Sequence, residues 1–321
     1  MQKARVLQST GIWYKLQDSL SGEILSARAR GKLKLAGYET TNPLAVGDWV
    51  MYEKDKRDEY NIVKILPREN CIIRKSVNLS HRSHILASNI DQVLLLVTLK
   101  EPETSLAFID RCLVAAESYR IKTVLVFNKW DLYTAEDMRK AEHLQAMYAK
   151  LGYASFALSL KTLLGVDTLE SYLKEGVSML LGHSGVGKSS TLNAISPELR
   201  RKVAENSLAY HKQGKHTTTQ AEMLSLPQGG FLIDTPGIRG FGLVDLTTQE
   251  LGTCFPEFDA VQDTCHFDNC THIAEKNCAI QRAFARGEIA QSRMQNYIHF
   301  FEEIAQMQQT YRHGHRPQAR T

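Results

Sequence analysis

"GHSGVGKSS", residues 182–190, is the stretch that decides the fold of this chain. It has the spacing of a phosphate-binding loop, and it lies between the apolar run "VSMLL" and a helical segment, as such a loop requires. Its glycines let backbone N–H groups point at phosphate oxygens, while Lys188 reaches the terminal phosphates and Ser189 offers a hydroxyl to Mg²⁺. The predicted nucleotide contacts here are Gly182, His183, Ser184, Gly185, Val186, Gly187, Lys188, Ser189 and Ser190.

Two downstream segments complete a phosphate and magnesium site. In "FLIDTPG", an apolar strand delivers Asp234 to the edge of a sheet, where the carboxylate can hold the magnesium shell, and Gly237 can offer an N–H to the γ-phosphate. The polar loop "GKHTTT", residues 214–219, places Thr217 or Thr218 to close over the ion. We expect Ser189, Thr218 and Asp234 to surround the magnesium.

The motif "NKWD", residues 128–131, predicts that the base is guanine. The Asp131 carboxylate can accept hydrogen bonds from the ring N–H and the exocyclic amino group of guanine, and adenine would leave it unpaired. Asn128 can bridge the base and the phosphate loop, and Lys129 can cover the ring beside Trp130. A second base loop, "ALSLK" at 157–161, adds Ser159.

The order of these segments is unusual, because both base loops precede the phosphate loop. An ordinary GTPase has the phosphate loop first. The chain order therefore predicts a circular permutant, in which the same mostly parallel sheet, covered by helices, has its termini moved. Residues 68–247 are assigned to this domain.

Residues 1–67 have the short strands and turns of a small antiparallel barrel or sandwich. Within them, four cations follow a period of two, which places them on one face of an extended segment or hairpin: Arg28, Arg30, Lys32 and Lys34. Such a face is either solvated or a nucleic-acid contact, and both interpretations stay open.

Residues 248–321 form a third section, helical around a cysteine cluster. Three thiolates and one imidazole suit a closed, structural zinc site: Cys265, Cys270, His272 and Cys278. His266 could replace His272, and three reduced cysteines without metal are the alternative. The sequence after the cluster predicts two helices hinged near Gly287. The tail beyond them is basic, and is either solvated or an RNA contact.

Composition narrows the class of protein. The 321 residues, with 43% hydrophobic content and a net charge of +4, suit a multi-domain globular protein for which a polyanionic partner is allowed but not required. The start lacks the apolar core of a signal peptide, and the longest apolar run is too short to span a bilayer. We expect a cytoplasmic monomer with reduced cysteines.

Together, "NKWD" ahead of "GHSGVGKSS", the "GKHTTT" loop, "DTPGIRGF" and the Cys-Cys-His-Cys segment resemble the RsgA/YjeQ family of small-ribosomal-subunit biogenesis GTPases. The resemblance implies an N-terminal OB-fold, a permuted GTPase domain and a C-terminal zinc domain. It also implies late action on the small subunit, binding to its rRNA near the decoding region, and slow GTP hydrolysis that the subunit stimulates. It favours RNA contact by the basic face.

The same resemblance suggests a catalytic group. Many GTPases orient the attacking water with a glutamine after Asp-x-x-Gly, but Ile238 stands there and cannot hydrogen-bond to water. His216 of "GKHTTT" is the candidate, alongside Lys188 and Thr218, unless it is a solvated loop histidine. Two alternatives differ in class: an RNA-binding assembly chaperone in which GTP is mainly a conformational ligand, and an ATP-dependent small-molecule kinase, which "NKWD" disfavours.

Overall fold

The computed structural model describes residues 1–9, 12–29, 44–75, 83–195, 221–234, 243 and 246–314. Its N-terminal part is a closed barrel with the strand order β1-β2-β3-β5-β4-β1, the five-stranded arrangement of an OB-fold. The β3–β5 pair is parallel and the other pairs are antiparallel. The strands are β1 (Gln2–Ser9), β2 (Trp13–Asp18), β3 (Ile24–Ala29), β4 (Trp49–Lys54) and β5 (Tyr60–Ile65).

Alternation along the strands builds the barrel interior. In β2, Tyr14 and Leu16 face inward while Trp13 and Lys15 face outward, as the two-residue period of a strand requires. The inward residues form one apolar cluster with those of the other strands. Strand β1, in "QKARVLQS", was not predicted from the sequence, although it pairs with both β2 and β4 and closes the barrel.

A two-stranded ribbon connects the barrel to the next domain. It consists of β6 (Cys71–Lys75) and β7 (Ser83–Ser88), and the sequence analysis did not predict it. Asp48, directly before β4, is buried and accepts hydrogen bonds from Arg68 Nε at 2.6 Å and from Ser88 Oγ at 2.6 Å. This carboxylate therefore fastens the ribbon to the barrel.

The central domain has the mostly parallel sheet that was predicted. Its strands lie in the order β10-β9-β8-β11-β13-β12, parallel except for β12. They are β8 (Gln92–Val97), β9 (Lys122–Phe127), β10 (Ala154–Ala157), β11 (Val177–Leu181), β12 (Glu222–Ser225) and β13 (Phe231–Asp234). Both faces are covered, which explains the nearly continuous apolar runs of β8, β9 and β11.

Within the described part of the central domain, four helices cover the two faces of this sheet. They are α1 (Leu106–Ser118), α2 (Ala135–Lys150), α3 (Val166–Leu173) and α4 (Lys188–Ile195). Apolar residues of α1 and α2 join one core cluster, and those of α3 and α4 join the other. The side chain of Ser105 begins α1 by accepting from Phe108 N, and Thr134 and Asp137 form a capping box for α2.

The antiparallel edge strand β12 also pairs with the barrel. Gln8 of β1 lies opposite Glu222 of β12, so the sheet of the central domain continues into the barrel wall. Arg5 reinforces this junction, because its guanidinium lies 4.8 Å from the Trp49 ring centroid and 5.4 Å from that of Phe231.

The C-terminal section is helical, as predicted. It contains α5 (Pro256–Asp259), α6 (Ala279–Ala285), α7 (Gln291–Gly314) and the 3-10 turns Gly252–Cys254 and Gln262–Thr264. The predicted hinge between the last two helices lies at Gly287, whose φ of 76° is in the left-handed region. Aromatic side chains, Phe255, Phe258 and Tyr297 among them, fill its core. Among the described residues, none of the helices combines the length and apolar character needed to cross a membrane.

Candidate nucleotide site and metal cluster

The segments predicted to bind nucleotide follow strands that end at one edge of the sheet. The phosphate loop follows β11, "NKWD" follows β9, the second base loop follows β10, and Asp234 is the last residue of β13. Because these strands are parallel, their carboxyl ends meet at that edge. From β8 the successive strands β9 and β10 are added on one side, and from β11 the next strands are added on the other side. Ligands of open α/β sheets bind at such a switch point in the strand order.

The phosphate loop has the backbone that its glycines permit. Gly182, Gly185 and Gly187 have φ values of 145°, 82° and 108°. A Cβ atom on Gly187 would lie 2.3 Å from Asn128 Nδ2, so a side chain there would collide with the base loop. Lys188 begins α4, and its Nζ donates to the carbonyl oxygens of Gly182 at 2.7 Å and His183 at 2.8 Å. Its ammonium group is thereby held over the loop.

Asn128 joins the base loop to the phosphate loop, as predicted from the sequence. Its side chain is buried and donates from Nδ2 to the Val186 carbonyl oxygen at 2.9 Å, while its backbone N–H donates to Val97 O at 2.8 Å. The amide oxygen of Asn128 is an acceptor and is available to a donor on the base edge.

The two base loops form one unit. Ser159 Oγ donates to Asp131 Oδ1 at 2.7 Å, and Trp130 N donates to the Leu158 carbonyl oxygen at 3.1 Å. The structure therefore brings the predicted Ser159 beside the carboxylate that would read the base. Lys129, at a φ of 59°, extends to the carbonyl oxygen of Glu101.

Several predicted residues lie outside the part of the chain that is described. These are His216, Thr217, Thr218, Gly237 and Ile238, and of Asp234 only the backbone is described. The backbone register pairs Ile233 with Met179 of β11. This register places Asp234 beside the end of the strand that leads into the phosphate loop.

Thr104 is a contact of the phosphate loop that the sequence analysis missed. Its hydroxyl lies 2.6 Å from His183 Nε2 and accepts from the Thr98 N–H at 3.0 Å. The Phe108 ring meets the His183 ring edge-on, with centroids 5.7 Å apart. No motif links residues that stand 79 positions apart, so only the folded chain reveals the pair.

The four predicted zinc ligands converge in the C-terminal section. The Sγ atoms of Cys265, Cys270 and Cys278 and a ring nitrogen of His272 all lie within 4.8 Å of one another. His272 Nδ1 is 3.6 Å from two of these sulfurs, and Cys265 Sγ is 4.0 Å from Cys278 Sγ. A tetrahedral site with Zn–S bonds of about 2.3 Å has edges of roughly 3.8 Å, so the cluster suggests a zinc site.

Neighbouring residues hydrogen-bond to members of the cluster. Ala279 N donates to Cys265 Sγ at 3.3 Å, and Gln281 Nε2 fixes the His272 backbone by donating to its carbonyl oxygen at 2.6 Å. Burial raises the pKa of the Cys270 thiol to about 12, and a cation would favour the thiolate. His266, the alternative ligand, is exposed and contacts the Phe267 ring instead.

The predicted basic face is described only at Arg28. It stands opposite Trp13 in the β2–β3 pair, and its guanidinium stacks 4.0 Å from the Trp13 ring centroid. Both side chains are exposed at the barrel surface. Arg30, Lys32 and Lys34 lie outside the described residues.

Fold and site together define a phosphate-loop GTPase whose strands follow one another in permuted order. Residues 65–244 match the family described as RsgA GTPase, and residues 3–62 match the RsgA N-terminal domain. The chain belongs to the RsgA GTPase family, which confirms the resemblance and the enzyme class predicted from the sequence.

Curated relatives of this family match nearly the whole chain. "Small ribosomal subunit biogenesis GTPase RsgA" of Christiangramia forsetii is 46% identical over 300 residues, which is 92% of this chain and 95% of the relative. The protein of that name from Bacteroides fragilis is 43% identical over 301 residues, 94% of this chain and 96% of the relative.

Two crystal structures resemble the whole fold. YjeQ from Thermotoga maritima has a TM-score of 0.76 and 36% identity, over 95% of this chain and 98% of its own. YloQ, described as a circularly permuted GTPase, has a TM-score of 0.73 and 27% identity, over 96% of each chain. The permutation inferred from the order of the motifs is therefore confirmed.

Proposed function

We propose that this GTPase binds the small ribosomal subunit, acts late in its maturation in the cytoplasm, and hydrolyses GTP faster when the subunit is bound. The observation that carries the proposal is the name shared by relatives that match more than nine-tenths of this chain, "Small ribosomal subunit biogenesis GTPase RsgA". The joined barrel and GTPase sheet support it, because an RNA-binding module and the nucleotide domain then share one backbone framework.

The nucleotide is assigned to the strand ends described above. Asp131 reads guanine with Ser159 behind it, Asn128 spans from base to loop, and Lys129 and Trp130 flank the ring. The phosphates lie against residues 182–190 at the start of α4, where backbone N–H groups favour anions. Gly237 adds a backbone donor to the γ-phosphate.

Two metals are assigned by their donor sets. Ser189, Thr218 and Asp234 would hold Mg²⁺, which would neutralise negative charge on the phosphates. The four residues of the Cys3His cluster would hold one Zn²⁺ per chain, closed to solvent ligands and therefore structural.

His216 is proposed to orient the attacking water. The side chain of Ile238 cannot hydrogen-bond to water. The imidazole of His216, two positions before Thr218 in the sequence, can. The proposed catalytic set is His216, Thr218 and Lys188, of which Lys188 contacts the terminal phosphates. Stimulation by the subunit is proposed to act through His216, so that turnover is slow in the free protein.

The subunit's rRNA is proposed to contact the barrel through Arg28, Arg30, Lys32 and Lys34. Stacking on Trp13 holds the Arg28 guanidinium in place at the surface, which reduces the entropy lost when it meets a phosphate. Binding that depends on such phosphate contacts must weaken as salt rises.

The test is the hydrolysis of GTP and ATP by the purified protein, alone and with small subunits, at one stated salt concentration. Large subunits are the matched control. GTP-specific turnover that rises at least tenfold with small subunits alone supports the proposal. GTP turnover that neither subunit changes overturns it and favours a chaperone with GTP as a conformational ligand, and equal ATP turnover favours a kinase.

The role of His216 has its own test. The variant His216→Ala is expected to keep GTP and subunit binding and to lose most of the stimulated turnover, while His266→Ala, a change to an exposed histidine far along the chain, serves as control. Undiminished stimulation in His216→Ala would remove the catalytic assignment.

A further inference from the structure

The carbonyl group of Ser184 fixes the tautomer of His183, and with it the direction of the Thr104 hydrogen bond. Ser184 O lies 3.0 Å from His183 Nδ1 and, as a carbonyl, can only accept, so Nδ1 carries the proton. In the neutral ring Nε2 is then an acceptor, and the Thr104 hydroxyl donates to it across 2.6 Å. The oxygen of this hydroxyl in turn accepts from the Thr98 N–H. The result is a directed chain from Thr98 through Thr104 and His183 to Ser184.

This chain determines how one peptide unit of the loop is turned. A peptide is planar and trans, so a Ser184 carbonyl that points at the imidazole sends the Gly185 N–H to the opposite side. Gly185 itself is closely approached, since a Cβ there would lie 3.2 Å from Pro102 Cδ. The segment 98–104 thus contacts the loop at two places, His183 and Gly185.

We infer that His183 is a positioning residue for GTP hydrolysis: held by Thr104, it turns the Gly185 N–H toward the phosphates. The second half of the loop does not depend on the His183 side chain, because Gly187 directly precedes α4 and Lys188 is its first residue, and Thr191 N donates to Gly187 O at 2.9 Å. That helix start can hold a phosphate by itself. Loss of the chain should therefore reduce turnover more than it reduces GDP binding.

The experiment compares His183→Ala and Thr104→Val with the wild-type protein, without ribosomal subunits. Each variant is expected to lower kcat about five- to twentyfold, the effect of one lost hydrogen bond in the transition state. The KM for GTP and the Kd for a fluorescent GDP should change by less than about twofold. The double variant should be no slower than the slower single, because both changes break the same chain.

Two further variants separate positioning from local stability. Thr104→Ser retains the hydroxyl and should recover most of the turnover lost in Thr104→Val. Ser105→Ala removes the adjacent cap of α1 but leaves the His183 contact, and should keep the wild-type kcat.

The inference is overturned if His183→Ala is folded and keeps its kcat, if kcat and GDP affinity fall by the same factor, if the two single effects multiply in the double variant, or if Ser105→Ala is equally slow. Should His183→Ala fail to fold, Thr104→Val decides by the same criteria, because its change lies outside the loop. The inference rests on phosphate binding by residues 182–190. GDP binding by the wild-type protein, and the loss of that binding in Lys188→Ala, test this premise separately from any stimulation by subunits.

Discussion

Arg293 of α7 donates from Nη1 to Asp110 Oδ1 of α1 at 2.8 Å, and both side chains are almost fully buried. Glu257 of α5 accepts from the same guanidinium at 2.7 Å, and Asp110 also accepts from Asn296 Nδ2 at 2.6 Å. Burial alone would lower the pKa of Arg293, but the two carboxylates hold it above its usual value. The pair therefore fastens the C-terminal section, which contains the Cys3His cluster, to the GTPase domain.

Breaking this pair should destabilise the protein strongly. Arg293→Met removes the cation and leaves two carboxylates without it, and such uncompensated buried charge costs about 3–5 kcal/mol. Urea unfolding followed by circular dichroism measures the loss. Arg286→Met is the matched control, because Arg286 pairs with Glu288 on the exposed surface, and it should leave the unfolding free energy unchanged. Equal effects of the two substitutions would contradict the role of burial.

Zinc content should depend on His272 and not on His266. We expect one zinc per chain by elemental analysis, and its loss in Cys278→Ser and His272→Ala with a lower melting temperature, because metal binding and local folding are linked. His266→Ala should keep both zinc and melting temperature, since His266 lies outside the cluster. Full zinc content in His272→Ala would instead identify His266 as the fourth ligand.

Base specificity should change with Asp131. Asp131→Asn replaces an acceptor by a donor opposite the exocyclic group of the base, so GTP affinity should fall at least about tenfold while affinity for xanthosine triphosphate, whose exocyclic group is an acceptor, rises. Competition between the two nucleotides measures the change. Retained GTP preference would show that another group reads the base.

The barrel should lose stability in acid through Asp18. Hydrogen bonds from Ser21 N–H, the Tyr52 hydroxyl and Leu20 N–H lower the pKa of Asp18 to about 2, below the value of about 3.9 for the unfolded chain. A depressed pKa contributes stability above about pH 4, and this contribution is lost as pH falls toward 2.

Urea titrations of wild type and Asp18→Asn between pH 7 and pH 2.5 test this. The two proteins should differ most at neutral pH and converge in acid, while Asp58→Asn, at an exposed turn, should follow the wild type throughout. A difference between wild type and Asp18→Asn that is independent of pH would refute the assignment.

The features that could be predicted from the sequence are those encoded by short, continuous segments. The phosphate loop, "NKWD" and the cysteine cluster are short motifs, and the apolar runs of β8, β9 and β11 are long enough to identify buried strands. Strand β1 was missed because its ends carry Gln2, Lys3 and Gln8, and the β6–β7 ribbon because short strands have weak periodicity. Thr104 with His183 and Asp110 with Arg293 are side-chain pairs distant in sequence, which no local pattern specifies.

The edge strand β12 provides a route by which a change at the nucleotide site can reach the barrel. One of its edges pairs with β13, which ends at Asp234, and the other pairs with β1 of the barrel. The loop "GKHTTT" precedes β12 and "DTPG" begins at the end of β13, so this hairpin is bounded on both sides by the segments assigned to the γ-phosphate. A shift of the hairpin on hydrolysis would then move the barrel wall, and with it the surface proposed to contact RNA.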